Sequence, residues 1–544
     1  MRETGSTSAW ALALGGRLTG RRVAAGMVSS LLLWATSPRP AQAAGELEVR
    51  LDGMALPISI DDLSAWVRSG GARSSELGVW FNLLEEQSRT GVVDLLQAPL
   101  INDSSMTRQI LNSWAGRQLL DQLGDLVQVD DETTGLTVQT TLEQLLEQRP
   151  EVTTLELLEA LPARTVRLDL DALLEVAASW RLQLERQQLL VERLGRQPVS
   201  RQRLEQASES AASADGALER LALPVPHRER ALQLQLWLPE ASIETERRSW
   251  LVLMPGLGGS PDHFGWLGRA LSRNGWPVVV LEHPGSDAVA VQALLEGRRP
   301  PPGAEVLPER LRDLQEVLSA QERGELPLSG DQLVLVGHSL GALTALLASG
   351  AQPEPGLGRR CRKVMDDLPL SNLSRLLQCQ IQDVALPAST PPASLAGVVG
   401  LNSFGSLLWP RRVPVASDVP VLLSGGSLDL ITPPISEQLG LLRALPSNPG
   451  TRAVLVEGAS HFSPVRVEGQ SGGQGEDLFQ LGEEFVGVQP LQVQALLERE
   501  ILRFLEILES GRRGETAGGD AEHVQVGSLR LYRLNQAGAA RLLD

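Results

Sequence analysis

Two hydrophobic rhythms divide the chain. In the second half, Ala231-Leu232-Gln233-Leu234-Gln235-Leu236-Trp237-Leu238 alternates apolar with polar positions and predicts an edge strand. Short continuous apolar runs follow at Trp250 to Met254, Pro277 to Leu281, Leu333 to Val336, Gly397 to Leu401, Val419 to Leu423 and Ala453 to Val456. A strand without polar alternation is buried on both faces, so runs separated by helical segments predict a mostly parallel sheet covered on both sides. A long amphipathic helix, Pro490 to Leu508, closes the array.

The first half keeps a helical rhythm. Leu47 to Leu51 alternates as a short strand, and Ser59-Ile60-Asp61-Asp62 reads as a helix N-cap with acidic residues in the first turn. Thr140-Thr141-Leu142-Glu143 and Thr153-Thr154-Leu155-Glu156 both fit the capping box, each opening a run of leucines at helical spacing. A longer helix is predicted from Asp169 to Leu194. The expected organisation is a signal segment over 1–43, a mainly helical accessory domain over 44–196, a polar linker over 197–220 and an α/β domain over 221–510. An insertion over 353–392 and a tail over 511–544 complete it. The insertion carries Leu368, Leu370, Leu373, Leu376, Leu377 and Ile381, more apolar residues than a solvated loop needs, which predicts a small cap.

Composition narrows the chemistry. The formal charge of −17 over 544 residues argues against nucleic acid or an anionic membrane surface as partner. Lys363 is the single lysine, so neither a P-loop G-K-[ST] nor an S-x-x-K pair can form. No C-x-x-C or H-E-x-x-H occurs, and neither metal nor organic cofactor is expected. Arg17, Arg21 and Arg22, the apolar run Val23 to Trp34 and Ala41-Gln42-Ala43 have the layout of an export signal, too short to span a bilayer. Export places the chain in the periplasm, outside the cell or in a thylakoid lumen, and puts Cys361 and Cys379 in an oxidising compartment. Spacing alone leaves open whether they bond or stay free.

The chemistry-bearing stretch is Gly337-His338-Ser339-Leu340-Gly341, a G-x-S-x-G between a buried strand and a helical run. A serine there sits on a sharp turn, and a β-carbon at either flanking glycine would strike neighbouring backbone. The turn also sets the Leu340 N–H at a helix N-terminus, suited to an oxyanion. A serine hydroxyl needs a base, and the base needs an acid to fix its tautomer. His461, reached from the strand Ala453 to Val456 through Glu457-Gly458-Ala459-Ser460, is the candidate base; His523 lies in the tail. The candidate acid is Asp429, after Gly425-Gly426 at a strand's carboxyl end; Asp287 is the alternative and Asp418 stands at the wrong end. Met254-Pro255-Gly256-Leu257-Gly258-Gly259-Ser260 supplies the second oxyanion donor, Leu257 N–H or alternatively Gly258 N–H. His263 and His338 read as structural.

Together, Leu251 to Gly259, Leu281-Glu282-His283-Pro284-Gly285-Ser286, Gly337 to Gly341, Asp429 and Ala459-Ser460-His461-Phe462 resemble the α/β-hydrolase superfamily. Within it they are similar to the dienelactone hydrolase and platelet-activating-factor acetylhydrolase-like branch, over roughly Leu221 to Leu508. The N-terminal half resembles the uncharacterised helical domain that precedes such hydrolases in exported cyanobacterial proteins. Dienelactone hydrolases use a cysteine nucleophile where this chain has Ser339. The resemblance therefore implies a serine hydrolase acting on small-molecule or lipid esters, with peptidase or thioesterase chemistry, or a non-catalytic binding role, as the competing readings.

Overall fold

The computed structural model describes residues 44–71, 86–97, 99–101, 104–130, 132–133, 135–149, 151–202, 217–240, 247–365, 372–465, 490–510 and 519–543. The expected signal segment lies outside them, as do Leu368 and Leu370 of the insertion.

Strands β1 (Glu46–Leu51), β2 (Met54–Ser59), β3 (Pro99–Ile101), β4 (Val127–Val129), β5 (Glu132–Thr133), β6 (Val152–Thr153) and β7 (Thr165–Asp169) belong to the N-terminal unit. Five of them form a sheet in the order β2-β1-β7-β4-β5, so this unit is not helical alone. β1 runs parallel to β7, while β1–β2, β4–β7 and β4–β5 are antiparallel. The strands are two to six residues long and bounded by helices, which hides their period-two signal. Ser59 caps the helix Ile60–Arg68 through Asp62 N at 3.3 Å. Thr153 and Glu156 complete a capping box, whereas Thr140 lies inside the helix Gly135–Gln148 and bonds Leu136 O at 2.8 Å. A hydroxyl within a helix can satisfy itself on the preceding turn, so the local sequence admits both outcomes. Asp169 caps the helix Leu170–Gly195.

The second half builds an 11-stranded sheet from β8 (Val199–Gln202), β9 (Ala217–Leu223), β10 (Leu232–Leu238), β11 (Ser249–Met254), β12 (Val278–Leu281), β13 (Gln332–His338), β14 (Leu395–Leu401), β15 (Val421–Gly426), β16 (Arg452–Val456), β17 (Ala521–Val526) and β18 (Leu529–Leu534). Their order is β8-β17-β18-β16-β15-β14-β13-β11-β12-β10-β9. The six strands β11 to β16 are mutually parallel. β10 is not at the edge: β9 pairs beside it, antiparallel, and begins within the residues expected as linker. β8 comes from the same expected linker and pairs with β17. The expected tail supplies the hairpin β17–β18, antiparallel to β16, and the helix Gln536–Leu543.

Two apolar layers hold the sheet, and each strand feeds both. Leu333 and Leu335 enter one cluster with Trp250, Val252 and Met254. Val334 and Val336 enter the other with Leu251, Leu253 and the helix Pro490–Ser510. All four residues of the central run are fully buried, worth roughly 1.5–3 kcal/mol each. This is the physical content of the continuous apolar run, since neither face of the strand meets water.

Candidate active site

The residues expected at the site converge at the carboxyl ends of the parallel strands. Ser339 follows β13 and is the N-cap of the helix Leu340–Ala348, with φ 51° and ψ −116°. Among the described residues the other non-glycine positions with positive φ are Asp52, Asp130 and Asn402, residue types that tolerate the left-handed region; a serine does so only when its surroundings force it. A β-carbon on Gly341 would lie 2.0 Å from Met254 O, and one on Gly337 would lie 2.2 Å from Gly341 C. Gly341 is therefore required for the turn to close against β11, and Gly337 for the turn to close on itself. Ser339 N–H bonds Leu401 O at 2.9 Å, and its hydroxyl makes no hydrogen bond among the described residues.

Asp429 and His461 are brought together from the ends of β15 and β16. Asp429 is fully buried, and its Oδ2 lies 3.0 Å from His461 Nδ1. The same oxygen accepts from Asn402 Nδ2 at 2.7 Å and Thr432 Oγ1 at 2.6 Å. Oδ1 accepts from Ile431 N at 2.9 Å and Thr432 N at 2.7 Å. Burial pushes the Asp429 carboxyl up, but the His461 charge and the hydrogen bonds from His461, Asn402 and Thr432 outweigh it and hold the pKa below its ordinary value. Asn402 and Thr432 had no sequence signal beyond their position after an apolar strand and before Pro433-Pro434.

The alternatives are engaged elsewhere. Asp287 caps the helix Ala288–Leu295 through Ala290 N at 2.8 Å. Asp418 is exposed ahead of β15. His523 is buried on β17 with its ring 4.9 Å from Tyr532. His263 Nδ1 accepts from Ser260 N at 3.2 Å. His338 sits beneath the site, its Nε2 3.0 Å from His461 O and its ring 5.0 Å from the His461 ring.

The loop after β11 separates the two oxyanion candidates. Gly258 N–H donates to Ser286 O at 2.8 Å, so it is spent. Leu257 N–H and Leu340 N–H have no acceptor among the described residues. A β-carbon on Gly256 would sit 3.1 Å from the Ser339 β-carbon, which places this loop against the serine. The loop is held from behind by Arg310, a fully buried side chain that sequence reasoning missed. Its guanidinium bonds Pro255 O, Ser286 Oγ at 2.8 Å and Thr344 Oγ1 at 3.2 Å. It thereby ties the loop after β11, the loop after β12 and the helix that starts at Leu340.

Next to it, Asp313 binds His227 Nε2 at 2.8 Å, Arg228 Nη2 at 2.7 Å and His283 Nδ1 at 2.9 Å. Burial drives His283 down to about 4, helped by the Arg310 charge. Burial, then the His461 charge, drives His338 down to about 3. Both rings are neutral at pH 7. As pH falls below 6.5 the unfolded chain takes up protons that the folded chain refuses, so stability drops by up to about 3 kcal/mol per pH unit for the pair. The loss begins near pH 6.5 and continues to about pH 4 for His283 and about pH 3 for His338. Denaturant melts across this range are expected to lose stability steadily on acidification; a flat profile down to pH 4.5 would contradict the buried neutral rings.

The N-terminal unit and the insertion reach the same end of the sheet. Gln187, buried on the helix Leu170–Gly195, donates to Asp429 O at 3.1 Å. The insertion forms helices Leu357–Met365 and Ser374–Gln380, joined by a Cys361–Cys379 disulfide with Cα atoms 5.4 Å apart. Ser374 N donates to Ile431 O at 2.9 Å, two residues past Asp429. Asn372 Nδ2 reaches the buried Glu437 carboxylate at 2.6 Å. Trp114 Nε1 bonds Asp383 Oδ2 at 3.0 Å, joining the two units. Among the described residues no group of three or more His, Cys, Asp or Glu is placed to hold a metal ion, and no helix is long and apolar enough to cross a membrane.

Residues 43–169 match the model of a family described as an alpha/beta hydrolase of unknown function (DUF1400). The matched span lies within the N-terminal unit and ends before the sheet that carries Ser339. No curated protein matches the chain. The doubly wound parallel sheet, the elbow after β13 and the family match agree on one architecture, the α/β-hydrolase fold.

Proposed function

We propose that the chain is an exported serine hydrolase that cleaves carboxylic esters through an acyl-enzyme. The observation that carries this reading is the strained Ser339 at the elbow, on the same end of the sheet as a buried Asp429–His461 pair. A non-glycine residue held at positive φ has a cost, and such costs persist where function requires them. In this reading Ser339 Oγ attacks the ester carbonyl carbon while His461 Nε2 takes its proton. Asp429, as a carboxylate that only accepts, keeps the proton of His461 on Nδ1. The tetrahedral oxyanion is met by the N–H groups of Leu340 and Leu257. Collapse expels the alcohol with the proton from His461, and water then releases the acid by the same route.

The ester preference rests on the surroundings. Leu428 and Leu373 are exposed beside the Asp429 loop, and Leu257 is half-buried in the loop that lies against Ser339. Apolar surface at the mouth of a site favours an acyl chain over a charged peptide. The Cys361–Cys379 bond supports an oxidising compartment and thus export.

The reading is tested with p-nitrophenyl esters of graded chain length on protein lacking residues up to Ala43. Turnover that depends on chain length is the expected result. Turnover of peptide or thioester substrates in the absence of ester cleavage would replace the ester assignment.

A further inference from the structure

A concavity lies at the end of the sheet opposite the candidate active site. A cleft of about 510 Å³ is lined by Arg452, Arg503, Arg533, Glu522 and the segment Leu534 to Ala537. Arg452 begins β16, so roughly 16 Å of strand separates it from the turn that leads to His461.

Charge is unevenly distributed there. Three arginines face one carboxylate in the lining, on a chain whose formal charge is −17. Glu522 is taken by Arg533 Nη1 at 3.0 Å, and neighbouring Glu500 is taken by the same guanidinium at 2.7 and 2.8 Å. Arg452 forms no salt bridge among the described residues, and Glu500 and Glu522 attract it only from longer range. It is 6% exposed, and its Nε and Nη2 are buried with no hydrogen-bond partner. The Phe504 ring lies 5.9 Å from its guanidinium. Burial lowers its pKa to about 10, so it remains a cation at neutral pH. Arg503 has neither hydrogen bond nor ion pair among the described residues. A desolvated cation with no anion in hydrogen-bond contact is costly, and a guanidinium fork is shaped for oxyanions.

A helix N-terminus points at the same place. The eight-residue helix Gln536–Leu543 starts at the cleft, with Asn535 Oδ1 capping Gly538 N at 2.8 Å. The Gln536 and Ala537 N–H groups in its first turn have no acceptor among the described residues. Exposed first-turn N–H groups and the positive end of the helix dipole favour an anion.

We infer that this cleft binds a small phosphate monoester, its phosphoryl oxygens between Arg452, Arg503 and the N-terminus of the helix Gln536–Leu543. Two unpaired arginines and a helix N-terminus match a dianion better than a single carboxylate. The volume exceeds what inorganic phosphate fills, which leaves room for an organic body.

Calorimetric titration of the full chain with phenyl phosphate, inorganic phosphate and succinate tests the inference. Phenyl phosphate is expected to bind, inorganic phosphate more weakly, and succinate least. Arg503→Gln, on a half-buried helix position, is expected to weaken phenyl phosphate about ten-fold while melting close to wild type. Arg452→Gln is expected to weaken it further where it folds. No binding by any probe, succinate bound more tightly than phenyl phosphate, or equal affinity in Arg503→Gln and wild type would each overturn the site.

Discussion

Ser339→Ala is expected to lower ester turnover by roughly four to six orders of magnitude, the range lost when a nucleophile that acts with a base is deleted. Stability should barely move. The side chain is 8% exposed, and its hydroxyl makes no hydrogen bond among the described residues, so its removal leaves no orphaned partner. The backbone strain at φ 51° is unchanged, because alanine carries the same β-carbon. Wild-type kcat in Ser339→Ala would remove the serine from the mechanism. Loss of activity together with a large drop in melting temperature would reassign the elbow to a structural role.

Asp429→Asn is expected to cost about four orders of magnitude in turnover, and Asp287→Asn close to nothing. The Asp429 carboxylate accepts from five donors, including His461 Nδ1 at 3.0 Å and Thr432 Oγ1 at 2.6 Å. An amide fills the same space but turns an N–H₂ group toward donors. It leaves at least one of them unpaired, a loss of about 1–3 kcal/mol in a buried position. It also permits the wrong His461 tautomer, which withholds the lone pair that Ser339 needs. Asp287 only caps a helix, through Ala290 N at 2.8 Å, and asparagine caps equally well. Turnover profiles of the two variants separate the readings; the reverse order of effects would move the acid to the loop after β12.

What was legible in the sequence was local. The runs from Trp250 to Val456 announced the parallel strands because burial on both faces leaves no polar position to blur them. Gly337 and Gly341 announced the elbow because a β-carbon there meets backbone at 2.2 and 2.0 Å. Asp429 and His461 could be chosen because each follows a strand by one short turn. What was hidden depends on distant partners. Gln187 reaches Asp429 O across 242 residues, and nothing in a helix of exposed neighbours marks it except the stripe it shares with Leu190 and Leu194. Arg310 reads as one more charged position on an amphipathic helix, although it is fully buried against two loops and the helix that starts at Leu340. The strand β8 and the first half of β9 read as linker, and β17 as part of a polar tail in which Val526 to Leu531 is the strand candidate, because each carries polar side chains among its apolar ones and lies outside the doubly covered centre of the sheet. Only pairing with β10, β16 and each other gives them their place. The Cys361–Cys379 bond likewise follows from the approach of two short helices, which spacing alone does not set.

The central claim is that Ser339 is the activated nucleophile. Its most direct test is the site of covalent labelling by a fluorophosphonate, whose phosphonyl group mimics the tetrahedral intermediate. After labelling of the active protein and proteolysis, mass spectrometry is predicted to find the adduct on Ser339 and nowhere else. An active preparation with no adduct, or with the adduct on another residue, would contradict the account.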